Sequence, residues 1–199
     1  MPRIILASQS PRRKLLLQQI GLNFEVSLSS VEEISTEIEP AALVEDLASQ
    51  KAMDVASKFP DSLIIGSDTI VVHLGEVIGK PKDENQAAAF LARLSNTVHS
   101  VYTGVAIVKT DKNSIVEATH TFNEQTKVTF STLGEQEIQA YIKRGNPLDK
   151  AGAYGIQDDL GALFVEKLEG DYYNVVGFPL HRFYQEMKIF FPELDIMST

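Results

Sequence analysis

Apolar residues come along this chain either in short unbroken runs or in stripes at helical spacing, and the change from one to the other marks out the elements. Residues 3–7 end in the run Ile4-Ile5-Leu6-Ala7 and read as a strand. Ser8-Gln9-Ser10 is turn chemistry, and Pro11 stands where a helix begins, at a position whose N–H has no partner anyway. Leu15, Leu16, Leu17 and Ile20 give that helix one apolar face, and Gly21 ends it. Residues 24–28 predict a second strand, followed by the acidic loop Glu32-Glu33. Over residues 40–59, Leu43, Val44, Leu47, Lys51, Ala52, Val55 and Ala56 recur at helical spacing.

Leu63-Ile64-Ile65-Gly66 has no alternation, the mark of a strand buried on both faces. Residues 70–73 and 76–78 flank Leu74-Gly75 as a hairpin. A helix is expected over residues 83–95, capped by Asp83, with Ala87, Phe90, Leu91 and Leu94 inward. Residues 98–108 and 115–121 read as strands around the turn Asp111-Lys112-Asn113, and 127–132 as a further strand. Residues 135–143 form a helix, 163–168 a strand and 179–190 the closing helix. Strands and helices mix without a strict βαβ repeat, so the class is α/β, a mixed α+β arrangement around a mixed sheet. No repeat, low-complexity stretch or linker cuts residues 1–199, which read as a single domain.

Composition narrows the function. The net charge of −9 over 199 residues disfavours a nucleic-acid binder, which needs a basic face. With no cysteine there is no disulfide scaffold, thiolate metal site or cysteine nucleophile. Neither a leader with an apolar stretch of about 7–15 residues nor an uncharged span of about 18 is present, so a cytoplasmic protein off the membrane is expected. There is no phosphate-binding Gly-x-x-x-x-Gly-Lys motif, no Gly-x-Gly-x-x-Gly after a strand and no Gly-x-Ser-x-Gly elbow. The four histidines lack metal-ligand spacing.

Against that background, Ser8-Gln9-Ser10-Pro11-Arg12-Arg13-Lys14 is unusual. An acidic chain places three cations at a helix N-terminus, where the helix dipole opposes them. Hydroxyls, free N–H groups and guanidinium forks there suit phosphate oxygens, although a solvated helix start is the simpler use of such a segment. Asp68, in Gly66-Ser67-Asp68-Thr69, follows a buried apolar run, where open sheets present ligand-facing side chains. With Glu33 it would make the small carboxylate set that holds Mg²⁺ together with substrate phosphates, yet their spacing alone does not bring them together. Lys80 sits between Gly79 and Pro81, and Lys51 shares the helix face of Leu47 and Val55, so its stem is expected to be buried. Gln157 carries an amide donor and acceptor suited to a base edge, or is an ordinary loop glutamine.

Taken together, Leu6-Ala7-Ser8-Gln9-Ser10-Pro11-Arg12-Arg13, Gly66-Ser67-Asp68-Thr69, Gly79-Lys80-Pro81, Asp149-Lys150-Ala151-Gly152-Ala153-Tyr154-Gly155-Ile156-Gln157 and the closing Gly170-Asp171-Tyr172-Tyr173-Asn174-Val175-Val176-Gly177-Phe178-Pro179-Leu180 resemble the Maf family of nucleotide pyrophosphatases, in the same order along nearly the whole chain. The resemblance implies a fold like that of the inosine triphosphate pyrophosphatases, with a mixed sheet and two lobes around a central cleft, often as a homodimer. It also implies hydrolysis of a nucleoside triphosphate to the monophosphate and pyrophosphate with a divalent cation, Mg²⁺ or Mn²⁺. On that resemblance Ser8 and Arg13 hold the triphosphate, Asp68 is the general base or the carboxylate that orients the water, Glu33 and Asp68 hold the metal, and Lys51 and Lys80 neutralise phosphate charge. Arg12, Thr69 and Gln157 are similar to the branch acting on dTTP and UTP, whereas the branch acting on 7-methyl-GTP carries an aromatic residue at the position of Arg12. A pyrophosphatase for 7-methyl-GTP or another noncanonical purine nucleotide, and a nucleotide-binding regulator of septum formation, are the alternatives. Two departures from the family pattern stand out. Ser67 occupies a position that is usually Ala, and Asp158-Asp159-Leu160-Gly161 replaces a small Gly-rich turn; the two carboxylates are expected to point to solvent.

Overall fold

The structure is a computed structural model and describes residues 2–158 and 160–192. Strands β1 (Arg3–Leu6), β2 (Glu25–Val26), β3 (Ser62–His73), β4 (Glu76–Ile78), β5 (Val98–Thr110), β6 (Val116–Phe130) and β7 (Val165–Glu169) form one mixed sheet. Its order is β2-β1-β3-β5-β6-β7, with β4 paired to β3. The helices are α1 (Pro11–Gln19), α2 (Pro40–Ala56), α3 (Glu84–Leu94), α4 (Glu135–Arg144), α5 (Tyr172–Val176) and α6 (Leu180–Phe190). The mixed α/β class read from the sequence is therefore the observed one. Among the described residues no helix is long and apolar enough to cross a membrane.

The chain gathers into two compact units. The first comprises Met1–Asp68, Thr103–Glu124 and Gly177–Thr199, the second Thr69–Tyr102 and Gln125–Val176. In the first, β1 pairs in parallel with β2 on one side and with β3 on the other, Leu6 opposite Val26 and Ile65. From β1 the chain passes through α1 to β2 on one side, and from β2 through α2 to β3 on the other, so β1 and β3 are left toward opposite sides, the kind of switch point at which open sheets leave room for a ligand. Helix α2 covers this part of the sheet and buries Val44, Ala48, Ala52, Val55 and Ala56, the last four against Ile5, Ala7, Ile64, Ala106 and Val108. Its small residues let it settle directly on the strands. A Cβ added at Gly66 would lie 2.2 Å from the Ala48 carbonyl oxygen and 2.9 Å from Ala52 Cβ. Gly104 meets the same helix, 2.2 Å from the Val44 carbonyl oxygen.

In the second unit an aromatic group packs edge to face. Phe130 meets Tyr154 at 4.7 Å and His99 at 4.9 Å between ring centroids, and Tyr141 meets Phe164 at 5.2 Å. Asp83 caps α3 as the sequence indicates, accepting the Gln86 N–H. The β3–β4 hairpin turns at Leu74-Gly75 with φ of 52° and 79°, the backbone of a tight primed turn.

Three readings are corrected. β3 does not stop at Gly66 but runs on through Ser67, Asp68 and Thr69, so Asp68 lies inside a strand rather than past its end. The strands expected over residues 115–121 and 127–132 are one continuous strand, β6 (Val116–Phe130), whose polar middle finds partners: Glu45 of α2 accepts from Thr121 Oγ1 at 3.0 Å and from Asn123 Nδ2 at 2.5 Å. The strand expected over residues 24–28 is only two residues long.

Candidate active site

The parity of β3 places the carboxylate. Gly66 faces α2, so Asp68, two residues on, faces the same way. Lys51 of α2 reaches it with Nζ 2.5 Å from Oδ1. Both side chains are mostly buried, 13% and 15% exposed, so their stems lie in the core and the charges meet at its edge. The same ammonium lies 3.0 Å from Glu33 Oε2. Glu33 sits in an irregular loop, but the loop is tied to α2 on both sides of it. Ser30 donates its N–H to Asp54 Oδ2 at 2.9 Å, and Gln50 Nε2 donates to the Ile34 carbonyl at 2.7 Å. The first of these bonds holds the Asp54 carboxyl below its ordinary pKa. Residues 33, 51 and 68 thus converge on one point, two carboxylates against one lysine.

Behind them lies Arg13, buried at 9% exposure. Its Nε donates to the Gly177 carbonyl at 2.9 Å, and its Nη1 to the Ser67 carbonyl at 2.8 Å and to Ser8 Oγ at 3.1 Å. Burial lowers its pKa, while the nearby Asp68 carboxylate raises it; a guanidinium so placed stays a cation. Arg13 therefore does not hang in solvent at the helix start; it pins α1 to β3 and to the segment before α6. Ser8 Oγ also accepts the Ser10 N–H at 3.2 Å. Both of its acceptor sites are thus occupied, and its own O–H is left to donate. The hydroxyl that serves the start of α1 belongs to Ser8, since Ser10 makes no side-chain cap.

Of the residues singled out in the sequence, Ser8, Arg13, Glu33, Lys51 and Asp68 are brought together in the first unit, and Arg12 lies half-buried beside Arg13 in α1. Thr69, Lys80 and Gln157 belong to the second unit, Lys80 and Gln157 exposed there. Asp158 is not turned to solvent as expected. It accepts from Tyr141 Oη at 2.8 Å and lies 3.3 Å from Lys150 Nζ. Asp159 lies outside the described residues. The sequence reading also missed the carbonyls of Ser67 and Gly177 as the anchors of Arg13, and no motif signals a backbone acceptor. The Ser67 hydroxyl is buried with no partner.

An oxygen-only pair facing a single cation is the donor chemistry that suits Mg²⁺ or Mn²⁺ bound together with phosphate. Among the described residues no group of three or more His, Cys, Asp or Glu gathers as a protein-only metal cage.

Comparison with known proteins agrees in family. The model of the family described as "Maf-like protein" matches residues 3–190. The chain is similar to a dTTP/UTP pyrophosphatase of Lachnoclostridium phytofermentans, 48% identical over 192 residues that cover 96% of each chain. It is also similar to a protein of that name from Salinibacter ruber, 46% identical over 96% of this chain and 92% of that one, and to one from Bacillus cereus, 49% identical over 96% of each. Among solved structures, the Staphylococcus aureus Ham1 protein aligns over 64% of this chain and 71% of its own at 15% identity and a TM-score of 0.46, a likeness too slight to argue from.

Proposed function

The chain belongs to the Maf-like family, and from that premise we propose that it hydrolyses dTTP and UTP to the nucleoside monophosphate and pyrophosphate. The observation that carries this reading is the Glu33–Lys51–Asp68 cluster set in front of Arg13, a carboxylate base among cations at the carboxyl end of β1. Near-full-length relatives bearing the name dTTP/UTP pyrophosphatase support the choice of substrate.

Asp68 takes the proton of a water whose oxygen attacks the α-phosphorus. The bond from that phosphorus to the bridging oxygen breaks, and pyrophosphate leaves with the electron pair. Lys51 keeps Asp68 oriented, and with Lys80 it offsets the charge that grows on the leaving group. Preorganised charge of this kind is usually the largest catalytic contribution. Ser8 donates its remaining proton to a phosphate oxygen, and Arg13 adds positive charge behind it. Glu33 and Asp68 are the residues that would hold Mg²⁺ or Mn²⁺, which when bound supplies further neutralisation of the triphosphate. Arg12, Thr69 and Gln157 contact the nucleotide and set its identity. With this reading go a cytoplasmic location and, as the family resemblance implies, a homodimer; light scattering on a sizing column reads the assembly.

The test is to incubate the protein and Mg²⁺ with dTTP, UTP, CTP, ATP, GTP or 7-methyl-GTP and resolve the products by ion exchange. TMP and UMP with pyrophosphate are expected. Preference for a purine keeps the reaction and discards the assignments of Arg12, Thr69 and Gln157. Binding without turnover makes the protein a nucleotide-dependent regulator instead. Asp68→Asn should lower kcat by roughly 10²–10⁴ with the fold intact. Wild-type turnover in that variant removes Asp68 from the chemistry.

A further inference from the structure

In the second unit, Asp158 lies at the centre of a polar network. Tyr141 of α4 donates its hydroxyl proton to Asp158 Oδ2 at 2.8 Å, and the Tyr141 oxygen accepts the Gly155 N–H at 3.0 Å. Burial and then the neighbouring carboxylate push the phenol of Tyr141 well above its ordinary pKa, so it remains a donor. Lys150, whose side chain is 7% exposed, holds its Nζ 3.3 Å from the same Asp158 oxygen and 2.8 Å from Asp149 Oδ1, and donates to the Asn146 carbonyl at 2.5 Å. The carboxylate also lies over Gly155, where an added Cβ would come within 2.7 Å of Oδ2. Asp158 is thus fixed by a hydroxyl, an ammonium and a residue with no side chain to push it away.

Its other oxygen, Oδ1, accepts from Gln157 Nε2 at 3.1 Å. An ionised carboxylate only accepts, so the Gln157 amide must turn its NH₂ toward Asp158. Its carbonyl Oε1 then becomes the group that the exposed end of the side chain offers. We propose that Asp158 is a positioning residue which sets the Gln157 amide with its acceptor outward, and that this selects bases with a ring imide N–H, uracil and thymine, over cytosine. In cytosine the equivalent ring nitrogen is itself an acceptor, so two lone pairs would meet. This inference rests on the reading of Gln157 as a residue that contacts the base.

The experiment measures kcat/KM for UTP and CTP with the full chain and Mg²⁺, in the wild type, Asp158→Asn, Asp158→Ala, Gln157→Ala and the Gln157→Ala/Asp158→Asn double variant. In Asp158→Asn the side-chain oxygen keeps the Tyr141 proton, which turns the new NH₂ toward Gln157. The Gln157 amide then reverses and presents a donor. The UTP:CTP ratio should fall about tenfold or more, the worth of one exchanged hydrogen bond, with CTP hydrolysis rising in absolute rate. Asp158→Ala, which leaves Lys150 its other partners, should lower the ratio by less, because the amide is then held in neither sense. It carries the same test if Asp158→Asn does not fold. A purely structural role would lower both substrates alike and leave the ratio where it was. An unchanged ratio in both Asp158 variants, with the ratio lost in Gln157→Ala, overturns the positioning role and leaves the base contact standing. A ratio unchanged in Gln157→Ala overturns the base contact and this inference with it. A shift from Asp158→Asn that persists without Gln157 would show Asp158 acting by another route, and overturns the inference as well.

Discussion

Replacing Gly66 by Ala perturbs the fold and the chemistry through one contact. The new methyl would lie 2.2 Å from the Ala48 carbonyl oxygen and 2.9 Å from both Ala52 Cβ and Ala52 N. None of these is the far end of a flexible chain; they are the backbone and first carbon of α2, so the helix must retreat by about 1 Å to restore ordinary contact. Overpacking of this kind costs about 1–3 kcal/mol, roughly 3–10 °C in Tm for a chain of this size. Lys51 rides on the same helix one residue before Ala52, while Asp68 stays on β3, so the retreat also opens the 2.5 Å pair between them. A displacement of about 1 Å at a reacting group lowers turnover by about ten- to a hundredfold. Circular dichroism melts give the first quantity, and pyrophosphate release from UTP, assayed well below the variant's Tm, gives the second. Gly104→Ala presses on the same helix at Val44, two turns away from Lys51, and should lower Tm comparably with a smaller loss of kcat. Wild-type Tm and kcat in Gly66→Ala would mean that α2 does not rest on Gly66. Lowered Tm with unchanged kcat would mean that helix position and the Lys51–Asp68 pair are uncoupled.

Arg13→Ala should raise KM for the triphosphate and also lower Tm, because the buried carbonyls of Ser67 and Gly177 lose their donor at about 1–3 kcal/mol each; a raised KM at unchanged Tm would mean that those two bonds contribute nothing to the fold. Burial pushes the His99 imidazole down to about 3, so it stays neutral in the fold while an unfolded chain takes up a proton near pH 6.5. That contribution to stability is complete above about pH 6.5 and is lost as the pH falls toward 3, at up to about 1.4 kcal/mol per pH unit. His99→Gln, which can still bond Tyr154, should flatten denaturant-derived stability over pH 4–6, and an unchanged slope would refute the assignment. Chelation with EDTA should abolish turnover and Mg²⁺ or Mn²⁺ should restore it; turnover in metal-free buffer would remove the metal-holding role from Glu33 and Asp68.

Much of the fold was legible because its signals are local. Pro11 and Asp83 mark helix starts, Leu74-Gly75 marks a primed hairpin, and the alanines of α2 keep helical spacing. What failed was the reading of strand interiors. Gly66-Ser67-Asp68-Thr69 and Asn123-Glu124-Gln125 look like breaks, since Gly, Asp and Asn are poor strand formers. In the fold the first segment lies in β3, with Gly66 under α2 and Asp68 paired to Lys51; in the second, Asn123 bonds Glu45. Tertiary partners thus override local preference, and those partners are remote in sequence.

The same remoteness governs the site. In the sequence a helical stripe marks Lys51, the end of an apolar run marks Asp68 and an acidic loop marks Glu33, three unrelated signals with no shared period. Their meeting depends on two facts of assembly. Helix α2 must lie close enough to β3 for Lys51 to reach past Ala48 and Ala52, which the missing side chain of Gly66 permits. The loop holding Glu33 must also fold back onto α2, which Asp54 and Gln50 secure from the helix side through the Ser30 N–H and the Ile34 carbonyl. Neither Asp54 nor Gln50 carries any chemistry of its own, so a reading that looks for reactive residues passes over both. Arg13 shows the converse. Its motif points to a phosphate ligand, yet two of the bonds its guanidinium makes are to backbone carbonyls, and one of these is the carbonyl of Ser67, the residue directly before Asp68. On the proposed function, a group that serves the anionic substrate while anchored beside Asp68 couples occupancy to the position of that carboxylate. Loss of Arg13 should therefore lower kcat as well as raise KM, and a variant that changes KM alone would separate the two roles.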